Sequence, residues 1–331
     1  MTIRYVNTAS TAGGDGTTNE TTGATRAFVS LLDAINSLPA ALLDAYTIYC
    51  EGSAADTSAL SQTPFDFVTT PTNYLLVTTT PANRHDGKWN TSKYRIEVTN
   101  TNAIYCNIGE HIRFDGLQLQ VTCNDSSSYV CLKTTNANQT GLSVDMRVSN
   151  CIVKAVISGA GSAVTGFNSR PTTGGAGTTK CWNGLAIDCT NGVNNDFPGA
   201  EYYNITIQSD TGTKYGVVAD GDTICVNVLS KASSIDFVGG ANFNAACKNN
   251  ASADGSAPGT NSRNTQTFTF VNEGADDFHL ALTDAGAQGF GFTDPASGLF
   301  LDDIDGQTRS APWDIGADDP TTSRKFLLVR P

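Results

Sequence analysis

The chain is short of the residues that most often announce a chemistry. Among its 331 residues there are two methionines and three histidines, and only 16% of positions are charged. His85, His111 and His279 stand far apart, in no HxH or HExxH spacing, and each reads as a satisfied polar residue rather than a ligand or base. No serine sits in a GxSxG elbow, and no glycine-rich turn joins a strand to a helix as a nucleotide site requires. No CxxC pair occurs among the nine cysteines, Cys50, Cys106, Cys123, Cys131, Cys151, Cys181, Cys189, Cys225 and Cys247, so a zinc ribbon is excluded. They fall in apolar runs such as TIYC, AIYCNI and TICVNV, where a free thiol behaves as a small core hydrophobe. No apolar run reaches the length of a membrane span, and MTIRYVNTASTAGGDG has neither the charged nor the apolar region of a signal peptide. Synthesis in a cytoplasm is the expectation. The net charge of −12 repels phosphate and argues against a nucleic-acid partner.

What is abundant is Gly, Thr, Asn and Ser, residues of strands and corners. One helix is predicted over about residues 25–37, with Phe28, Leu31, Leu32, Ile35 and Leu38 on one face, Thr25 as N-cap and Pro39 as the stop. From residue 46 short apolar runs follow one another: YTIYC, YLLVT, YRIEV, AIYCNI, YYNITIQ, YGVVA, TICVNVL and SIDFV. Several share a pattern of strand, Asn or Gly bend, and second strand. The bends are placed at Gly116, Asn150, Gly184, Asn204 and Asn227. A strand that bends without reversing describes a coil, and recurrence with variable insertions describes a solenoid. The expected fold is all-β, a parallel β-helix. Residues 1–45 supply a strand, a Gly/Thr loop and a capping helix; 46–265 form the coil; 266–320 a loop-rich C-terminal cap; 321–331 a basic, apolar tail. Phe290, Phe292, Leu299, Phe300 and Trp313 are expected to cover the last rung, because an open coil end exposes backbone and core.

The opening RYVNTASTAGGDG, the helix stretch ATRAFVSLLDAIN, YTIYCEG, and the ending DFHLA, DAGA, DIDGQTR and DIGADD resemble right-handed parallel β-helix repeat proteins of bacteria and phages. The resemblance is carried by both ends and implies the fold. That group spans bacterial surface proteins, polysaccharide lyases, phage tailspikes and capsid-associated proteins, so fold analogy does not choose a function.

The candidate chemistry is sparse. Asp115, Asp145, Asp188 and Glu201 are rung carboxylates, and Arg113 and Arg147 recur beside the first two, which reads as a cross-rung charge ladder. Asp303, Asp305 and Gly306 form a fragment of a calcium loop without its distal Glu, and read as a tight turn. No metal, cofactor or catalytic residue is expected. Trp182 falls on a core position, while Trp89, in the loop RHDGKWNTSKY, is expected to be exposed and open to a glycan or partner. Arg324, Lys325, Phe326, Leu327, Leu328, Val329 and Arg330 make a tail with two readings, a strand that pairs with another subunit or protein and a strand that folds back on its own coil. The reading favoured is a non-enzymatic phage virion protein, a decoration or cement protein on the capsid exterior. It would be a homotrimer by analogy, bound to the major capsid protein and with no membrane partner. The alternatives are a tailspike that binds or cuts a surface polysaccharide, and a bacterial polysaccharide lyase.

Overall fold

The computed structural model describes residues 1–61, 65, 67–106, 111–135, 145–170, 178–196 and 198–320. Three parallel sheets of eight, eight and six strands are built between Thr2 and Ser252, and strands adjacent in each sheet come from successive turns. One turn consists of Asp145–Ser149, Ile152–Ile157 and Ala163–Arg170; the next of Thr178–Trp182, Leu185–Ile187 and Asn191–Asn195. This is a parallel β-helix, whose right hand is the rule for parallel crossovers. Its interior is three columns of stacked side chains. The first sheet contributes Val77, Phe114, Val148, Cys181, Tyr202 and Cys225. The second contributes Ile96, Leu119, Val153, Ala186 and Ile207. The third contributes Ile104, Leu132, Phe167, Val193, Val217 and Phe237. All are buried. Alternation puts every second residue inside, and parallel register puts like on like. All nine cysteines are buried free thiols, as expected of core residues.

The corner between the first two sheets is a single left-handed residue: Gly116, Asn150, Asn183, Asn204, Asn227 and Asn249 on successive turns, with φ between 50° and 69°. In KCWNGLAIDC the bend therefore belongs to Asn183, not Gly184. Gly184 serves close packing instead, since a Cβ there would meet the Phe167 ring at 3.1 Å.

At the N-terminal end the first strand, Thr2–Asn7, pairs in parallel with Tyr46–Glu51 and so begins the coil itself. The helix α1 is shorter than predicted, Leu31–Asn36, and its N-cap is Ser30, whose hydroxyl accepts from the Asp33 amide at 3.1 Å. Thr25 caps nothing because the chain is extended through Phe28, which exchanges backbone bonds with Tyr5 and Asn7. Leu31, Ala34 and Ile35 join the same buried cluster as Val6 and Ile48, so the apolar stripe is spent within the molecule.

The C-terminal segment departs from expectation. It contains an antiparallel pair, Phe270–Asn272 with Asp277–Leu280, and long loops. Instead of stoppering the last turn, it lies along the outside of the coil. Phe268, Phe270, Phe278, Leu280, Ile304 and Ile315 bury themselves against Ile152, Leu185, Ile187 and Leu229 of the second sheet's outer face. Phe300 and Trp313 cover Trp182, Tyr203 and Val226 of the first sheet. Phe290 and Phe292 stay about 40% exposed, beneath Arg263 and Lys248, each 3.4 Å from a ring centroid. The physical reason is that the coil's own outer face is apolar there, and a lateral strap covers more of it than an end plug could.

Candidate functional site

The strap follows the asparagine column and is bonded to it turn by turn. Asn249 Nδ2 donates to the Phe290 carbonyl at 2.8 Å. Asn227 exchanges two bonds with the Phe292 backbone, at 2.9 and 2.7 Å. Asn183 Nδ2 donates to the Asp302 carbonyl at 3.0 Å and to Asn150 Oδ1 at 3.1 Å. Arg309 is buried at the centre. It donates to the carbonyls of Asp302, Gly316 and Ala317 at 3.0, 3.1 and 2.6 Å, and to Asn183 Oδ1 at 3.2 Å. With its amide oxygen turned towards the guanidinium, Asn204 accepts from it at 3.0 and 3.2 Å. The asparagines thus do two jobs. Their backbone takes the left-handed corner, and their amide, which offers both donor and acceptor, satisfies a passing backbone.

At the other end of the column the corner is Gly116, and here a cleft opens. Asp115 accepts five hydrogen bonds. Two come from Arg84 at 2.8 Å each, and the others from Ser149 and Asn150 at 2.8 Å and Thr78 at 3.0 Å. Burial would raise the Asp115 carboxyl, but the Arg84 guanidinium outweighs it and holds the group below the usual carboxylate range. Only glycine fits at 116, since a Cβ would lie 2.8 Å from Arg84 Cζ. Next to it His85 Nδ1 accepts from the Gly87 amide at 3.1 Å, so its proton is on Nε2, 2.7 Å from the Asn150 carbonyl. Burial pushes this imidazole down to about 4 and keeps it neutral.

The cleft has a volume of about 840 Å³ and runs between the 80–93 loop and residues 298–308, with Arg84, Asp115, Asp302 and Asp305 on its walls. Trp182 and Phe300, stacked at 5.7 Å, close one side. A second hollow of about 520 Å³ shares Pro81, Arg84 and Asp305 with it and continues past Lys93. Asp302 is raised, by burial and by the nearby Asp115 charge.

Under the cleft floor lies a cluster that sequence spacing did not show. His279 Nδ1 is 2.5 Å from Asp277 Oδ1 and its Nε2 is 3.2 Å from Asp305 Oδ1. Lys88 Nζ holds the other Asp277 oxygen at 3.1 Å. Asp318 Oδ2 accepts from the Leu280 amide at 2.8 Å. Ligand atoms of His279, Asp305 and Asp318 lie within 4.8 Å of one another. Burial would depress His279, yet its hydrogen bonds to Asp277 and Asp305 hold it up at about 10. Asp303, Asp305 and Gly306 do form a tight turn: Asp303 Oδ1 accepts from the amides of Asp305 and Gln307, at 3.0 and 2.9 Å. The turn's second function, presenting Asp305 to His279, had no signal within its own sequence.

Other anticipated residues sit elsewhere. Trp89 is half-buried against the strap's apolar cluster, with Lys154 5.6 Å from its ring, and is less exposed than the polar loop suggested. Trp182 is buried, but beneath the strap rather than inside the coil. Arg113 and Arg147 are register neighbours, and Lys180 continues the row. This is a column of like charge, relieved by Tyr74 under Arg113, Asp145 beside Arg147 and Glu201 beside Lys180. Asp115 is not part of it. Asp188 takes a left-handed corner at φ 55°. The tail residues Arg324 to Arg330 lie outside the described residues.

No family model and no curated protein matches the chain. Among solved structures, the crystal structure of pectate lyase Pel9A aligns over 97% of this chain and 97% of that chain, at 11% identity and a TM-score of 0.39. That similarity is too low to carry an argument. The class of protein, a parallel β-helix, rests on the strand pairings themselves.

Proposed function

We propose that this chain is a non-enzymatic structural protein, a braced β-helix that decorates a larger particle. The setting we favour is the exterior of a tailed-phage capsid, where homotrimers would bind the major capsid protein and stabilise the head. The observation that carries this reading is the strap. A segment bonded lengthwise to successive corners ties turns together that otherwise touch only their neighbours, and makes a rod suited to bearing load. The charged groups beside it already have structural partners: Asp115 ties the Arg84 loop to the coil with five bonds, and Arg309 gathers the strap's carbonyls. The acidic body and the basic, apolar sequence from Arg324 to Arg330 suit docking on a protein lattice. Quantitative mass spectrometry of purified virions tests it. A copy number close to that of the major capsid protein is expected, a few copies per particle would mean a tail protein, and absence from particles would end the reading.

A second reading, a polysaccharide-binding or polysaccharide-cleaving β-helix of the tailspike or lyase kind, is favoured by one feature. The open cleft combines an aromatic wall, Trp182 and Phe300, with the carboxylates Asp302 and Asp305. A glycan array together with a reducing-sugar assay decides it, and clean negatives in both would remove it.

A further inference from the structure

We propose that His279, Asp305 and Asp318 together hold a divalent transition-metal ion of the zinc type, which clasps the strap to itself beneath the cleft. Three observations meet here. The donor set is mixed, one imidazole nitrogen and two carboxylates within 4.8 Å of one another, which suits zinc better than calcium or magnesium, ions that prefer oxygen alone. The ring is already oriented: Nδ1 faces Asp277 at 2.5 Å, and Asp277 is held in turn by Lys88 at 3.1 Å. That carboxylate–imidazole relay fixes a metal-binding histidine with Nε2 turned inward. The spacing fits as well. Ligands bonded at about 2.1 Å to one ion sit roughly 3.4 Å apart, and Nε2 stands 3.2 Å from Asp305 Oδ1. The ion would take the place of the proton now shared between them.

The three ligands come from separate stretches of the strap: the strand Asp277–Leu280, the turn at Gly306 and the run before Pro320. One ion would therefore close two loops at once, a cross-link made by coordination. His279 and Asp318 are buried, whereas Asp305 lines both hollows of the cleft and gives a route from solvent. The inference is independent of the decoration reading, because the ion would fasten the strap whatever partner the protein binds.

The test is Zn²⁺ titration of the chelator-stripped, full-length chain by calorimetry, with thermal unfolding in parallel. The expected result is one ion per chain and a higher Tm with Zn²⁺ than with chelator. Asp305→Asn, at the cleft edge, should abolish that binding at an unchanged circular-dichroism spectrum. Asp277→Asn, which meets the ring at its far nitrogen and not at Nε2, should weaken it about tenfold. Co²⁺ substitution separates this site from the nine thiols: visible bands without a thiolate charge-transfer band support it. Absence of stoichiometric binding, a thiolate band, or undiminished binding by Asp305→Asn would each overturn the proposal.

Discussion

The coil and its strap are built on opposite principles. Inside the coil, Phe114, Val148, Cys181 and Tyr202 stack on one another from turn to turn by shape and hydrophobicity. Along the strap, Arg309, Asn183, Asn227 and His279 each have a definite set of hydrogen-bond partners. The first kind of contact is non-directional and forgives exchange of one apolar residue for another. The second fails when one partner is lost, because the remainder stays buried and unsatisfied. A protein made of both has one part that determines that it folds and another that determines what is held where.

The largest effect should come from the coil. Phe167→Ala removes a buried ring from the third column and should cost about 3–5 kcal/mol, visible as one cooperative loss in thermal unfolding. Arg309→Met should come next, at about 3 kcal/mol, since it strips three carbonyls and two asparagines of their donor. Here the two regions should separate. Near-ultraviolet dichroism, which reports Trp182 under the strap and Trp313 within it, should melt before the far-ultraviolet signal of the coil. A single coincident transition would mean that strap and coil form one cooperative unit. Asn227→Ala deletes two bonds to Phe292 and takes a non-glycine residue without an amide into a left-handed corner, for about 2 kcal/mol.

Acidity offers a comparison without mutation. Burial pushes the Asp303 carboxyl up to about 7, and burial with Asp319 alongside raises Asp314. For groups raised on folding, the folded state holds the proton that the unfolded chain has released. Their contribution is full below the ordinary value of 3.8, declines as pH rises, and for Asp303 is gone above about 7. In chelator, the strap's near-ultraviolet transition should therefore fall between pH 5 and pH 8. Asp303→Asn should remove the part of that fall due to its own titration and leave the fall above pH 6.5 that His279 contributes. The smallest effect belongs to α1, where Ser30→Ala loses one capping bond worth about 1 kcal/mol in the melting curve.

The coil was legible because its information is local. The apolar residues of TICVNVL and the asparagine within it announce strand and corner within a few residues, and repetition does the rest. The one misplaced corner, Gly184 for Asn183, arose where two residues tolerant of positive φ stand side by side. The helix was overextended because Phe28 lies on its apolar face in projection but pairs with the first strand. The strap was not legible for the opposite reason. Asn183 meets Asp302, and Arg309 meets Asn183, across more than a hundred residues of chain. Asn, Asp and Gly in such a block look the same whether they turn in solvent or bond to a distant corner. The set His279, Asp305 and Asp318 has no motif spacing, so only the fold assembles it. Trp89 shows the same limit: a polar loop can still lay one ring on an apolar neighbour.

The strap also gives synthesis a direction. Each turn needs only the turn before it and can form as it emerges from the ribosome, but residues 266–320 are translated after the turns they bind. Until they arrive, the amides of Asn183, Asn227 and Asn249 face water. A nascent chain is a zipper with its fastener sewn on last, and one cut short before Arg309 leaves an open row of teeth along the flank.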